Sequence, residues 1–141
     1  WRYVHRAVDQ HGQVIDVYVS TRRNTAAARR FFDTVLGGHG RPAEITTDLA
    51  APLLRVVDEL LFDVVHDTAQ YANNRIETDH GRLKARLRPM RGLKRDRTAS
   101  VVIRGHAFVQ NLRRGHYELG VNARTRHLRV AAAFDELAEA I

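Results

Sequence analysis

The stretch WRYVHRAVDQHGQVIDVYVS, residues 1–20, decides the fold class. Bulky and polar residues alternate from Trp1 to Val8, Asp9-Gln10-His11-Gly12 supplies a turn signal, and Val14–Ser20 is again rich in β-branched residues. Side chains alternate across a strand and β-branched residues suit its pleated surface, so this stretch predicts a hairpin of two strands. Asn24 and Thr25 then offer a helix cap. Behind it, Ala26, Ala27, Ala28, Phe31, Phe32, Val35 and Leu36 form one apolar side, with Gly37-Gly38 as the expected stop.

Further along, Ala43–Thr47 reads as a short apolar strand that stops at Asp48. A helix is expected from about Pro52, carrying Leu53, Leu54, Val56, Val57, Leu60 and Leu61, and Val64-Val65-His66 as another strand. From Asn73 the pattern changes, because Ile76, Leu83 and Leu87 recur at helical spacing while nearly every other face is charged or polar. Pro89 ends that helix. Thr98–Tyr117 predicts a long helix, Gly120–Arg126 a linker and Leu128–Ile141 a terminal helix. Strands first, then alternating helices and short strands, predict an α/β fold with a mixed sheet flanked by helices. Residues 1–117 are expected to form the core, and 118–141 a linker with a C-terminal helix.

A chain of 141 residues can bury one ordinary core, and 44% hydrophobic with 28% charged residues is a globular composition. No apolar run is long enough to cross a bilayer, so no membrane span is expected. WRYVHRAV lacks the features of a signal peptide, and the sequence, opening on Trp1, reads as a fragment. The absence of Cys removes disulfides, thiolate nucleophiles and Cys-ligated zinc, and fits a cytoplasmic location. The eight His show no close ligand spacing, and Gly37-Gly38-His39-Gly40 lacks the Lys and Ser or Thr of a phosphate loop. A formal charge of +7 points to a polyanionic partner, usually nucleic acid.

Two carboxylates stand out. Asp48 ends an apolar strand, where open α/β sheets present ligand-binding side chains; the competing role is an Asx-turn or cap for the helix that follows. Glu77 lies near the start of the basic helix, with His80 and Lys84 three and seven residues on, so all three can share a face. Its competing role is stabilisation of the helix N-terminus. Together the two suit divalent metal, because Mg²⁺ takes oxygen ligands, keeps waters and needs few carboxylates. Between Arg82 and Arg97, eight cations (Arg82, Lys84, Arg86, Arg88, Arg91, Lys94, Arg95 and Arg97) are broken only by Asp96 among charged residues of the other sign. Such a stripe predicts DNA-backbone affinity with steep salt dependence. Arg113-Arg114, His116 and Tyr117 extend the same surface or, for Tyr117, join the core.

Four blocks together resemble the DDE transposases of the insertion-sequence-six family: WRYVHRAVDQHGQVIDVYVS, ITTDLA, YANNRIETDHGRLKARLRPMRGLK and RTASVVIRGHAFVQNLRRGHY. They run in the family's order to about Tyr117. The resemblance implies a ribonuclease H-like fold with extra C-terminal helices and Mg²⁺- or Mn²⁺-dependent cleavage and strand transfer. It makes Asp48 the second catalytic Asp and Glu77 the catalytic Glu. It also implies DNA partners, both transposon ends and target, a homo-oligomer, and a bacterial, nucleoid-associated location. DNA contacts are expected from His80, Arg82, Lys84, Arg86, Arg88, Arg91, Lys94 and Arg95. In the family the first Asp stands on a strand upstream of the Trp-Arg-Tyr strand, so that strand is expected to be missing here, with Asp9 as fallback. Asp48 and Glu77 are also closer in sequence than is common, which implies a shortened segment around Leu61–Thr68. A non-catalytic, DNA-binding or dimerising transposase remnant is the alternative, and a ribonuclease H-like nuclease a third reading.

Overall fold

The computed structural model describes residues 2–69 and 74–141, without the side chains of Asn74, Arg75, Glu77 and Asp79. The expected strand residue Trp1 and helix residue Asn73 lie outside the described residues.

The hairpin forms as two antiparallel strands, β1 (Tyr3–Val8) and β2 (Val14–Ser20). Asp9 closes it: its Oδ1 accepts from the backbone N–H groups of His11 (2.9 Å) and Gln13 (2.8 Å), while Gly12 takes φ +85°. The register runs from Tyr3 opposite Ser20 to Ala7 opposite Asp16, and then Val8 stands opposite Val14. Ile15 is therefore the extra residue of a β-bulge. Without it, strict alternation would turn Val14 away from the side taken by Val17. With it, both valines are buried in one core.

Helix α1 (Thr25–His39) starts as expected at Asn24, whose side chain accepts from Ala27 N–H. Its end differs from the expected one. The helix runs through Gly37-Gly38 and stops at Gly40, where φ is +77° and the N–H reaches Leu36 O. Strand β3 (Glu44–Thr46) leads to α2 (Ala51–Leu60), which holds Pro52 in its first turn, where a missing N–H costs nothing. Strand β4 (Val65–Asp67) pairs parallel to β3, with Thr46 opposite Asp67. Then follow α3 (Asn74–Leu87), α4 (Asp96–Arg114) and α5 (Arg129–Glu139). Helix α4 begins two residues before, and ends three before, the expected Thr98–Tyr117. Gly115 stops it in the left-handed region, with Gly115 and His116 donating to Asn111 O.

The protein is thus mixed α/β, with two cores among the described residues. Ala28, Phe31, Phe32, Val56, Val57 and Leu61 of α1 and α2 pack with Ala7 and Tyr18 of the hairpin and Ile45 of β3. Val14 and Val17 pack with Leu83, Ile103 and Ala107 of α3 and α4. The described strands make two separate ribbons, β1-β2 and β3-β4, instead of one continuous sheet. α4 runs the length of the hairpin. Arg2 pairs with Asp96 at its start, and at its end Arg114 Nη1 donates to Gly12 O (2.9 Å) beside the turn. α5 docks on α4 through an edge-to-face contact of Phe108 with Phe134, and Ala133 is fully buried. No described helix is long and apolar enough to cross a membrane.

Candidate active site

Parallel pairing of β3 and β4 places Asp48 just beyond the C-terminal ends of both strands. Thr47 N–H donates to Asp67 O (3.1 Å), which extends the ladder by one bond to the residue before Asp48. Thr47 is buried, and its Oγ1 donates to Asp48 O (3.0 Å) while lying 2.7 Å from His66 Nε2. With the hydroxyl proton directed to Asp48 O, the imidazole is the donor to Thr47. This network fixes the backbone from which the Asp48 carboxylate projects.

The carboxylate itself serves both of the roles open to it in the sequence. Its Oδ1 accepts from Ala50 N–H (3.1 Å), an Asx-type turn into α2. Its Oδ2 lies 3.4 Å from Arg23 Nη2, and both side chains are about half exposed. Arg23 comes from the segment between β2 and α1. Beneath the pair, His5 of β1 stacks on Phe31 with ring centroids 5.5 Å apart, and its Nε2 is buried with no hydrogen-bond partner among the described residues. Burial lowers the His5 pKa, Arg23 lowers it further, and the Asp48 charge acts in the opposite sense. The imidazole is therefore held neutral beside a carboxylate–guanidinium pair.

Glu77 lies on the second turn's approach of α3 by backbone position, and its side chain lies outside the described residues. His80 is half-buried and Leu83 fully so, while Lys84 is exposed. Asp9 stands at the other end of the hairpin, four strand residues beyond His5, or about 13 Å along β1. Among the described residues no three His, Asp or Glu side chains converge in a metal-sized group.

The basic residues of α3 point to more than one side of the helix. At about 100° per residue, Lys84 is turned some 200° from both Arg82 and Arg86. Arg88 and Arg91 fall in the turn after α3, where Arg91 itself has φ +51° and Gly92 +83°. Lys94 and Arg95 lead into α4. Tyr117 is half-buried against Phe108, and its hydroxyl accepts from Asn111 Nδ2 (3.1 Å). Sequence reasoning passed over Arg23, His5 and His66, which lie 25, 43 and 18 positions from Asp48 and meet it only through the fold. The available signal was a cation, Arg23, in the connection leaving a strand.

A family model described as "DDE domain" matches residues 1–116. The chain belongs to the insertion-sequence-six family of DDE transposases. Among curated proteins, this DDE transposase chain is similar to the transposase for insertion sequence-like element IS431mec of Staphylococcus aureus, at 31% identity over 91 residues. It is equally similar to the transposase for insertion sequence element IS257 in transposon Tn4003 of the same organism. In both cases the match covers 61% of this chain and 41% of the relative, so the matched part of the DDE transposase spans about two fifths of those proteins' length.

Proposed function

We propose that this chain is part of the catalytic core of a transposase that cleaves and joins DNA at insertion-sequence ends, with Asp48 and Glu77 as divalent-metal ligands. The observation that carries the reading is the position of Asp48. Within a chain of this family, the Asp of ITTDLA stands at the C-terminal edge of a parallel strand pair, with its backbone held by Thr47 and His66. The finer fold belongs to the same proposal: the two ribbons are parts of one ribonuclease H-like sheet, completed by a strand from sequence preceding Trp1 that also bears the family's first Asp.

The donor chemistry fits Mg²⁺ or Mn²⁺. Asp48 offers hard carboxylate oxygens at an exposed edge, and such ions are commonly held by one or two carboxylates plus substrate phosphates and waters. A bound ion would polarise a phosphodiester and neutralise charge developing on it. The chain's own residues do the rest. Arg23 neutralises Asp48 in its present geometry and is placed to pair with an incoming phosphate once that carboxylate is engaged elsewhere. Homo-oligomeric assembly on transposon-end and target DNA belongs to the same proposal.

The test is nicking and joining of labelled insertion-sequence-end DNA with Mg²⁺ or Mn²⁺, by this chain and by a longer chain that continues upstream of Trp1. Activity of the longer chain that disappears in Asp48→Asn and Glu77→Gln supports the proposal. Activity of the short chain that depends on Asp9 would replace the upstream ligand by Asp9. Silence of both chains, with DNA binding intact, would favour a non-catalytic DNA-binding remnant.

A further inference from the structure

A cavity of about 810 Å³ lies where α3, the end of α4 and the segment leading into α5 meet. Arg82, Arg86, Arg113, Arg114, Arg126 and His127 line it, and no carboxylate does so among the described residues. We propose that this arginine groove is a second DNA site, which grips the phosphodiester backbone of a duplex segment flanking the one that reacts at Asp48. The proposal rests on the transposase reading for the identity of the polyanion, and on the groove's own geometry for everything else.

The groove and Asp48 lie at opposite ends of the hairpin. Arg114 is tied to Gly12 O at the turn, whereas Arg23, the partner of Asp48, follows the far end of β2 at Ser20. The eight residue steps from Gly12 to Ser20 span on the order of 25 Å. The two sites also use different layers: Asp48 stands over the α1 and α2 core, and the groove is built from the helices on the other face. One short substrate segment cannot occupy both.

The lining selects a backbone. The guanidinium groups of Arg82, Arg86, Arg113 and Arg126, gathered from three chain segments, repel one another, and a single phosphate cannot neutralise them. Duplex DNA carries one negative charge per about 1.7 Å of axis and can. Placement is partly fixed in advance, since Arg126 Nε donates to Arg113 O (3.2 Å) and Arg114 to Gly12 O. Guanidinium groups suit phosphate better than ammonium groups because their planar fork pairs two oxygens at once. No Phe, Tyr or Trp lines the groove, so the stacking platforms that hold unpaired bases are absent from its described lining. That favours duplex over single strand.

The experiment is anisotropy of a labelled duplex of mixed sequence titrated with this chain in EDTA, across a series of salt concentrations. It compares the unmodified chain, the triple variant Arg82→Ala, Arg113→Ala and Arg126→Ala, and the same three positions changed to Lys. The alanine variant should bind on the order of 10²-fold more weakly near 0.1 M salt, and its salt slope should fall by about 2.7, three lost contacts at about 0.9 each. The lysine variant, which keeps the charge and guards against a folding defect, should retain most of the slope. EDTA removes divalent ions and no cleavage is read, so failure of the catalytic reading leaves the outcome intact. An unchanged slope in the alanine variant overturns the proposal. So does a groove-dependent preference for single-stranded DNA or for duplex RNA.

Discussion

The Asn111 carboxamide is clamped to both backbone groups of Val14: its Oδ1 accepts from Val14 N–H (3.0 Å) and its Nδ2 donates to Val14 O (2.8 Å), across 97 residues of sequence. Asn111 is only 1% exposed, so this side chain mimics the strand neighbour that β2 lacks at its bulged end. Asn111→Ala leaves a buried N–H and a buried carbonyl unpaired, at about 1–3 kcal/mol each. The expected loss is about 2–6 kcal/mol, read as a fall in Cm with unchanged m in urea. A loss below about 0.5 kcal/mol would mean that water or a shifted strand takes over the pairing.

Gly120 carries the docking of α5. It sits at φ +61°, and a Cβ there would come within 2.3 Å of Arg129 O and 3.0 Å of Ala133 N. Its N–H donates to Glu136 Oε2 (2.9 Å), and Arg129 reaches back to Leu119 O and Tyr117 O. Gly120→Ala therefore meets both an unfavourable backbone conformation and a backbone clash, and should cost at least about 1 kcal/mol. The consequence is local: α5 should detach from Phe108, with faster proteolysis between residues 121 and 128 and little change in protection of β2 amides. Equal loss of protection in both places would show that α5 is integral to the core.

Neither of these relationships is legible in the sequence, because each is made by tertiary packing. The hairpin, α2 and α5 announce themselves because alternation with period 2 or 3.6 is a local property of the residues. Gly37-Gly38 misled because glycine tolerates a helix interior at about 1 kcal/mol, and both sit on an exposed side; positive φ is reached only at Gly40. The bulge at Ile15 was hidden because it is set by burying Val14 and Val17 against α3 and α4, far away in sequence. In the same way Asp48 was visible as the end of an apolar strand, yet its partners were not, since Arg23 and His5 reach it through the packing of α1 and the hairpin. The run from Arg82 to Arg97 was legible as charge. Its division between opposite sides of α3 followed from the helix angle, but the joining of Arg82 with Arg126 did not.

His5 makes stability depend on pH. Its folded-state pKa lies below the ordinary value of about 6.5, through burial first and the Arg23 charge second, with Asp48 opposing. Between the folded and ordinary values the unfolded chain binds more protons, so stability rises with pH in that window and this contribution is level above about 6.5. Acidification below about 6.5 should thus lower Tm, and His5→Phe, which keeps a ring against Phe31, should remove that step. A step of the same size in His5→Phe would assign it to other groups.

Arg23 is expected to govern the affinity of Asp48 for cations. The guanidinium 3.4 Å from Oδ2 competes with any ion that approaches the same oxygen, and the pair is half exposed, so its coupling lies within about 1 kcal/mol. Under the metal-site proposal, Arg23→Ala should tighten Mn²⁺ binding up to about fivefold, as read by calorimetry or by the paramagnetic signal of free Mn²⁺. Asp48→Asn should abolish that binding, and stability should change little in either variant. The two activities should then move apart: Arg23→Ala binds the ion better yet joins DNA more slowly, because a phosphate partner has been removed. Weaker Mn²⁺ binding in Arg23→Ala would show that the cation shapes the carboxylate for the metal instead of competing with it.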